Sequence, residues 1–479
     1  MTMKVIWAVV ALFLVLHILI AGQIGLTVDG AHYALYGKYL ALNYYDHPPL
    51  VGWLQASLLA FGNNDFLMRV WPFIFSTATF LSLYYIAPRI LPKTSSNMGG
   101  YCILMYFLAV IINVLGIDLI PQTLLLFFGL WTTYSLYQVT QNPSWLAWLR
   151  LGLYLGISGL SEYTALPFAA GICLYFLIFD RQAFKSIKFY MALLVALGCI
   201  SPIIVWNAQN QWISILYQLH HGLPTNWNWG NFFSSLLIQL GAYGLAPVVF
   251  GTLGFIYVLR GQWRDTGSQI LTCLGLPIII LFIYSGGHQQ ILPHWPALGW
   301  LLAIPLAVRY LIEHWQRLWV RLLLYFSASL VSVLYLLVYT QIFFGWIPFP
   351  LNQNPFNDLY GWQRAAIHSK MLLQTLNLPE GSPHLFVPNW TLASRISWYS
   401  HEPVVVASTD MSQFQLWYGS PTTTSNGIMI VPTNDTQPKS FNVASGQFQN
   451  CQYIDTITTS VHGKAINQFS FYHCRHFNT

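Results

Sequence analysis

Long apolar stretches separated by short polar connections make up the chain from its N-terminus to about residue 344. A helix needs roughly 17 to 25 residues to cross the hydrocarbon core of a bilayer, and these stretches have about that length. Hydropathy and helix-breaking residues predict about eleven spanning helices. They lie near residues 5–24, 67–87, 98–114, 119–138, 146–160, 163–179, 189–206, 232–258, 268–285, 295–311 and 320–344.

Two of these predictions leave an alternative open. The fifth and sixth helices are short and are separated only by residues 160–163, so they form either two spans or a re-entrant pair. The first helix resembles a secretory signal peptide, because Lys4 precedes an apolar core and small residues follow at Ala21 and Gly22. We favour an uncleaved anchor, since the apolar run is long and an odd number of helices agrees with the charge distribution.

Charged residues are scarce along the whole chain. Of its 479 residues, 55% are hydrophobic and 7% are charged. Soluble domains carry about 25% charged residues, so this composition excludes a soluble protein. The predicted fold class is an α-helical polytopic membrane protein, with residues 1–345 as the transmembrane module.

The distribution of Lys and Arg predicts how this module is oriented, because the inner side of a membrane retains them. The opposite side offers only Lys38 and Arg69 in its short loops, which places the N-terminus inside and the loop from Asp29 to Asp46 outside. The net charge of +6 then reflects topology, and no nucleic-acid partner is implied. The residues on the inner side are Lys4, Arg89, Lys93, Arg150, Arg181, Lys185, Lys188, Arg260, Arg264, Arg309, Arg317 and Arg321.

Residues 346–479 differ in composition from the rest of the chain. They are rich in Asn, Ser, Thr and Pro, and they contain short β-like runs at 403–407 and 427–431. This segment is predicted to be a small α/β domain outside the membrane. Its two cysteines, Cys451 and Cys474, flank an apparent hairpin at 461–464, and in an oxidising compartment we expect them to form a disulfide.

Acids and histidines gather in the first outer loop, which marks it as the predicted working site. Asp29 comes just before an amphipathic stretch, 31–42, that is expected to lie at the outer interface as a helix and that carries Tyr33 as a candidate substrate contact. Asp29 is either a catalytic carboxylate or the N-cap of this helix, and the two roles are compatible.

The end of the same loop reads Asp46-His47-Pro48-Pro49. Paired prolines stiffen the backbone and present an acid and a potential cation at the membrane surface. The alternative is a simple turn with a solvated ion pair. Arg69, at the start of the second helix, either extends to lipid headgroups or binds a phosphate.

Other outer loops supply further candidates for substrate contacts. Asp118 has an ordinary helix-start role as its alternative, and Glu162 lies among apolar residues, which is costly unless it faces a cavity or a partner. Histidines follow at His220, His221, His288 and His294, the last beside Trp295. Their spacing fits no established zinc pattern, so we expect no metal and no required cofactor.

These residues together carry a resemblance to a known family. The run 29–53 with its Asp-His-Pro-Pro resembles the first outer loop of GT-C membrane glycosyltransferases, in the bacterial group related to protein O-mannosyltransferases and the lipid A aminoarabinose transferase. Further similar segments are 159–164, 206–222, 292–296 and 354–362.

The resemblance implies transfer of a sugar from a polyprenyl-phosphate carrier to an acceptor at the outer face of the bacterial inner membrane. Asp29 matches the family's base. The chain departs from the family at Gly30, where Glu is usual, at Gln122, where an Asp is common, and at Glu162, where Lys is frequent. The C-terminal domain would be periplasmic.

Transfer of a sugar from a lipid phosphate requires few catalytic groups. A lipid phosphate is a good leaving group, so one base and one cationic clamp suffice, and direct displacement inverts the anomeric centre. Asp29 is the expected base, with Asp46 as a second catalytic candidate, and His47 and Arg69 would neutralise the phosphate.

Two alternative functions, those of a transporter and of a scaffold protein, remain open. A polyprenyl-lipid flippase is also polytopic, although transporters place polar groups near the bilayer midplane and not in outer loops. A non-catalytic scaffold subunit of an envelope-glycan complex agrees with the departures at Gly30 and Gln122. The acceptor is an envelope lipid such as lipid A, a glycan or a protein.

Overall fold

A computed structural model describes residues 3–95, 97–222, 226–261, 263, 265–351, 354–376, 384–408, 410–433 and 447–478. The N-terminal three quarters are helical. The helices there are α1 (Met3–Ala21), α2 (Val28–Lys38), α3 (Leu50–Leu59), α4 (Asp65–Met68), α5 (Val70–Ile90), α6 (Met98–Leu108), α7 (Val110–Val114), α8 (Pro121–Gln141), α9 (Trp145–Ser161), α10 (Ala165–Phe179), α11 (Ile187–Gln209), α12 (Ile213–Gly222), α13 (Trp229–Tyr243), α14 (Leu245–Leu259), α15 (Thr266–Ser285), α16 (Ala297–Glu313) and α17 (Leu318–Phe344).

Every predicted span contains helix. Within the ranges given above, four helical segments are long and apolar enough to cross a membrane: Asp65–Ile90, α11, α15 and α17. The pair α13 and α14 is a fifth candidate. The chain is therefore a helical membrane protein, as predicted, whereas the number of eleven spans stays a prediction.

The range 232–258 is not one uninterrupted helix, so that prediction is wrong. The chain bends by 109° between α13 and α14 at Gly244, whose φ is +78°. Glycine adopts a positive φ without steric cost, and the carbonyl of Leu108 occupies the space that a Cβ would need. Hydropathy detects apolar character but not a change in backbone direction.

The predicted helix 98–114 is likewise interrupted, at Ala109 between α6 and α7. The side-chain amide of Asn113 donates to the carbonyl oxygens of Ala109 at 2.9 Å and Tyr106 at 3.1 Å. A polar side chain thus satisfies backbone groups at the break, which is required where water is absent.

The C-terminal part forms a mixed α/β structure, which confirms the predicted class. Its elements are α18 (Trp362–Thr375), β1 (Leu385–Val387), α19 (Trp390–Ser400), β2 (Val404–Val406), α20 (Gln413–Tyr418), β3 (Asn426–Pro432), β4 (Phe448–Val461) and β5 (Lys464–Phe477). The strand order is β2-β1-β3-β5-β4, with β1 parallel to β2 and β3 and with β5 antiparallel to β3 and β4. The predicted run 403–407 contains β2, and the predicted run 427–431 lies within β3.

The chain divides into two compact units that do not follow sequence order. The helical unit consists of Met1–Leu16, Ala41–Val51 and Arg69–Tyr335. The mixed unit consists of His17–Leu40, Gly52–Met68 and Leu336–Thr479. Two early segments therefore pack with the C-terminal part, while the division into a transmembrane module 1–345 and a periplasmic domain 346–479 stays a prediction.

Cys451 and Cys474 face each other on β4 and β5 and form a disulfide. Both are fully buried beside Phe386, Met429 and Tyr472. The predicted hairpin at 461–464 is the connection between these strands.

We expect this disulfide to be oxidised in the native protein and its removal by paired Ser substitutions to cost about 3 kcal/mol. The loss arises because an open chain has more conformational freedom when unfolded. Thiol labelling under denaturing, non-reducing conditions tests the bond, and free thiols at both positions would contradict it.

Candidate active site

The Asp-His-Pro-Pro segment lies in the helical unit, between residue 41 and α3. The N–H of Tyr44 donates to the carbonyl of His47 at 3.2 Å, which closes a turn ahead of the prolines. Gln218 on α12 donates through Nε2 to the carbonyl of Asp46 at 2.6 Å. Asn43 Nδ2 donates to the hydroxyl of Tyr163 at 3.1 Å. The loop is thus anchored from α12 and from the end of α9, and it is more than a solvated turn.

Glu162 is the centre of a polar cluster in this unit. It is 6% exposed and terminates α9. Its Oε2 lies 3.2 Å from His47 Nδ1 and accepts from Gln122 Nε2 at 3.3 Å, while Oε1 accepts from the N–H of Tyr163 at 3.0 Å. Of the two predicted reasons for a buried acid, a cavity or a partner, the structure provides partners.

His294, in the loop before α16, interacts electrostatically with Glu162 and His47 of this cluster. Burial lowers the pKa of His294 to about 4, the carboxylate of Glu162 opposes the shift, and His47 adds to it. At neutral pH His294 is therefore an uncharged hydrogen-bonding group, and not a cation for a phosphate.

Asp46 interacts with two tyrosines. Burial raises the pKa of Tyr217 to about 12, with smaller contributions from Asp46 and Tyr45. The charges of Glu162 and Asp46 both act on Tyr163 as well. The half-buried carboxylate of Asp46 consequently shares one electrostatic environment with Glu162.

Arg69 and Asp118 form a buried ion pair in the same unit. Arg69 Nε donates to Asp118 Oδ1 at 2.8 Å, and the two side chains are 3% and 5% exposed. Burial excludes the alternative in which Arg69 extends to lipid headgroups. The helix-start role of Asp118 is wrong as well, because α8 begins at Pro121 with Ile120 as its N-cap residue.

Asp29 lies in the mixed unit, in the first turn of α2. The predicted N-cap role is wrong, because Thr27 is the N-cap and its hydroxyl accepts from the N–H of Gly30 at 3.1 Å. Carboxylates in the first turn interact favourably with the helix dipole. The side chain of Asp29 is half-buried in this first turn.

The remaining candidates have simpler positions. Tyr33 is 5% exposed and packs edge-on against Tyr36 and His32. Trp295 is half-buried, and its ring lies 6.0 Å from that of Phe282. The side chains of His220 and His221 lie outside the described residues. Among the described residues, no group of three or more His, Cys, Asp or Glu side chains could hold a metal ion.

Two residues near Asp29 escaped sequence reasoning as site residues. Asp358 Oδ2 accepts from the N–H of Val28 at 3.3 Å, and its Oδ1 accepts from Arg395 Nη1. The family-like segment 354–362 contained a signal for Asp358. For Arg395 the signal was weaker, an arginine within the otherwise uncharged run of α19.

The chain is similar to known proteins in sequence and in fold. Residues 46–206 match the model of dolichyl-phosphate-mannose-protein mannosyltransferases. This range includes Asp46, His47, Arg69, Asp118 and Glu162. The crystal structure of ArnT from Cupriavidus metallidurans in the apo state superimposes with a TM-score of 0.63, covering 98% of each chain at 12% identity.

The chain has the GT-C fold. The crystal structure of ArnT from Cupriavidus metallidurans bound to undecaprenyl phosphate gives a TM-score of 0.63 over 97% of this chain and 98% of that one, at 13% identity. Lipid A galacturonosyltransferase RgtD of Rhizobium johnstonii is 24% identical over 307 residues, which are 60% of this chain. The chain spans 61% of the length of that relative. The resemblance to GT-C glycosyltransferases inferred from sequence is confirmed.

Proposed function

We propose that this GT-C protein is a membrane glycosyltransferase that moves a sugar from a polyprenyl-phosphate carrier to an extracytoplasmic acceptor. The observation that carries the proposal is the buried Arg69–Asp118 pair, a guanidinium fixed within the range matched by the mannosyltransferase model. A guanidinium fork matches the geometry of phosphate oxygens. An ArnT structure with bound undecaprenyl phosphate supports a donor of this class.

The proposed reaction is a single displacement. The acceptor hydroxyl oxygen attacks the anomeric carbon, the bond from that carbon to the phosphate oxygen breaks, and the lipid phosphate leaves with the electron pair. Asp29 takes the hydroxyl proton, and Arg69 and His47 stabilise the leaving phosphate. Because the leaving group is good, no second carboxylic acid is needed, in contrast to glycosidases.

Glu162 has a supporting task in this scheme. Its two oxygens are engaged by His47, Gln122 and the N–H of Tyr163. Glu162 Oε2 lies 3.2 Å from His47 Nδ1 and thereby orients the imidazole that is proposed to contact the phosphate. Glu162 therefore compensates for the missing family Lys by acting through His47.

For the acceptor we propose lipid A or another envelope glycolipid, with an envelope glycan or protein as the remaining acceptor classes. The relative RgtD is named for action on lipid A. Tyr33, His294 and Trp295 are proposed to contact the substrate, together with His221.

Mass-spectrometric comparison of envelope lipids and glycans from cells with and without the gene tests the function. We expect one envelope component to lose a single sugar residue, and purified protein with polyprenyl-phosphate sugars to restore it. Movement of the donor lipid across vesicles without a glycosylated product would favour a flippase. Unchanged lipids and glycans together with no turnover would favour a scaffold subunit.

The location that this reaction requires is also testable. Because the inner side of a membrane retains Lys and Arg, we propose that Asn63 and Ser412 lie outside the inner membrane and Ser95 in the cytoplasm. Single cysteines introduced at Asn63 and Ser412 should react with an impermeant thiol reagent in intact cells, and one at Ser95 only after lysis. The opposite labelling pattern would invert the topology.

A further inference from the structure

The carboxylate of Asp358 connects the first turn of α2 to α19 through hydrogen bonds. The N–H of Val28 donates to Asp358 Oδ2 at 3.3 Å, and Arg395 Nη1 donates to Asp358 Oδ1 and, at 3.3 Å, to the carbonyl of the same residue. One of the amides left without a partner at a helix start is thereby satisfied. The helix that carries Asp29 is thus held at its N-terminal end by α19.

The backbone just before α2 is held by the same part of the mixed unit. The N–H of Leu26 donates to the hydroxyl of Tyr399 at 2.9 Å, and that hydroxyl donates to Asp65 Oδ2 at 2.7 Å. The N–H of Gly25 donates to the carbonyl of Leu359 at 2.9 Å. Since residues 25, 26 and 28 all have such partners, the start of α2 cannot turn without breaking several hydrogen bonds.

Arg395 is buried in an unusual setting for a cation. It is 4% exposed, and its guanidinium carbon lies 3.4 Å from the centroid of the Trp362 ring. Burial lowers the pKa of Arg395 to about 10, and the nearby Asp358, Tyr399 and Asp29 oppose that shift. Arg395 therefore remains a cation at neutral pH, and its field reaches both carboxylates.

We propose that Arg395 and Asp358 are positioning residues for the carboxylate of Asp29. The C-terminal domain would then take part in the transfer step, in addition to any role in binding the acceptor. Arg395 donates to Asp358, and Asp358 accepts from the N–H of Val28, so the two residues together hold the turn of α2 on which Asp29 lies. The inference rests on the proposed role of Asp29 as the base.

Steady-state kinetics of the full chain in lipid nanodiscs, with the polyprenyl-phosphate sugar as donor, tests this positioning. Arg395→Gln and Asp358→Asn should lower kcat by about 10- to 100-fold, the cost of a small misplacement of a reacting group. The KM for the donor should not change, since the proposed phosphate contacts are Arg69 and His47. Arg395→Lys should recover part of the rate, because it keeps the charge but loses the fork.

Lys370→Gln is the matched control. It removes another ion pair of the mixed unit, Lys370 Nζ to Glu402 Oε1 at 2.7 Å, whose side chains are 43% and 35% exposed. This variant should have wild-type kinetics. If it loses as much rate as the Arg395 variants, the effect is general to ion pairs of this unit and the proposal fails.

Hydrogen exchange of residues 25–38 provides a readout that does not depend on activity. Exchange there should be faster in Arg395→Gln and Asp358→Asn than in wild type and in Lys370→Gln. If Arg395→Gln does not fold, Asp358→Asn and Arg395→Lys carry the test. Normal kcat and normal exchange in folded variants would overturn the positioning role, whereas a wild type without any transfer would instead overturn the proposed function.

Discussion

Asp29→Asn should abolish detectable sugar transfer, with a loss in kcat of about 10²- to 10⁴-fold, the usual contribution of a general base. An amide has nearly the shape of a carboxylate but does not accept a proton at working pH. The start of α2 should persist, because Asp358 accepts from the N–H of Val28 and Thr27 accepts from the N–H of Gly30. Loss of the dipole interaction of the Asp29 carboxylate should cost about 0.3–1 kcal/mol.

Transfer assays paired with donor-binding measurements decide this prediction. Asp410→Asn serves as the control, because Asp410 is an exposed acid of the same unit. That variant should transfer sugar normally, and Asp29→Asn should still bind the donor lipid. A folded Asp29→Asn protein with near-normal turnover would remove Asp29 as the base and direct attention to Asp46.

Local signals in the sequence were sufficient for most of the fold. Apolar runs of membrane length do not depend on distant contacts, so helix appears in every predicted span. The errors occur where the conformation of a single residue determines the direction of the chain. Gly244 is such a residue, because its positive φ turns the chain between α13 and α14. The helix start at Thr27 is a similar case, since Thr27 and Asp29 are both suitable caps and only the backbone chooses between them.

The sequence indicated the residues of the candidate site, but it did not indicate which of them contact each other. Sequence reasoning named Arg69, Asp118, His47 and Glu162 one by one, because acids and cations are rare in this chain. Their pairing depends on how distant loops pack, and no spacing rule encodes it. Arg395 was missed for the same reason, since its partners Asp358 and Asp29 lie far from it in sequence.

Asp118→Ala should destabilise the helical unit by about 3–5 kcal/mol, because it leaves the buried guanidinium of Arg69 without its carboxylate. Replacing both partners by apolar residues, as Arg69→Met with Asp118→Leu, should restore most of that stability. The double variant should nevertheless fail in transfer if Arg69 binds the donor phosphate. A charged hydrogen bond contributes about 1.5–3 kcal/mol, so donor affinity should fall by about 10- to 150-fold.

Thermal unfolding in nanodiscs measures the change in stability, and binding of polyprenyl phosphate measures the change in donor affinity. The Arg309–Asp265 pair, with Nη1 and Oδ2 2.6 Å apart, provides a control in the same unit. Arg309→Met with Asp265→Leu should alter stability but not donor affinity, because neither residue belongs to the candidate site. A stable Arg69→Met, Asp118→Leu protein that binds donor and transfers sugar normally would reduce the pair to a structural role. The phosphate contact would then have to be sought at His47, whose Nδ1 lies 3.2 Å from Glu162 Oε2.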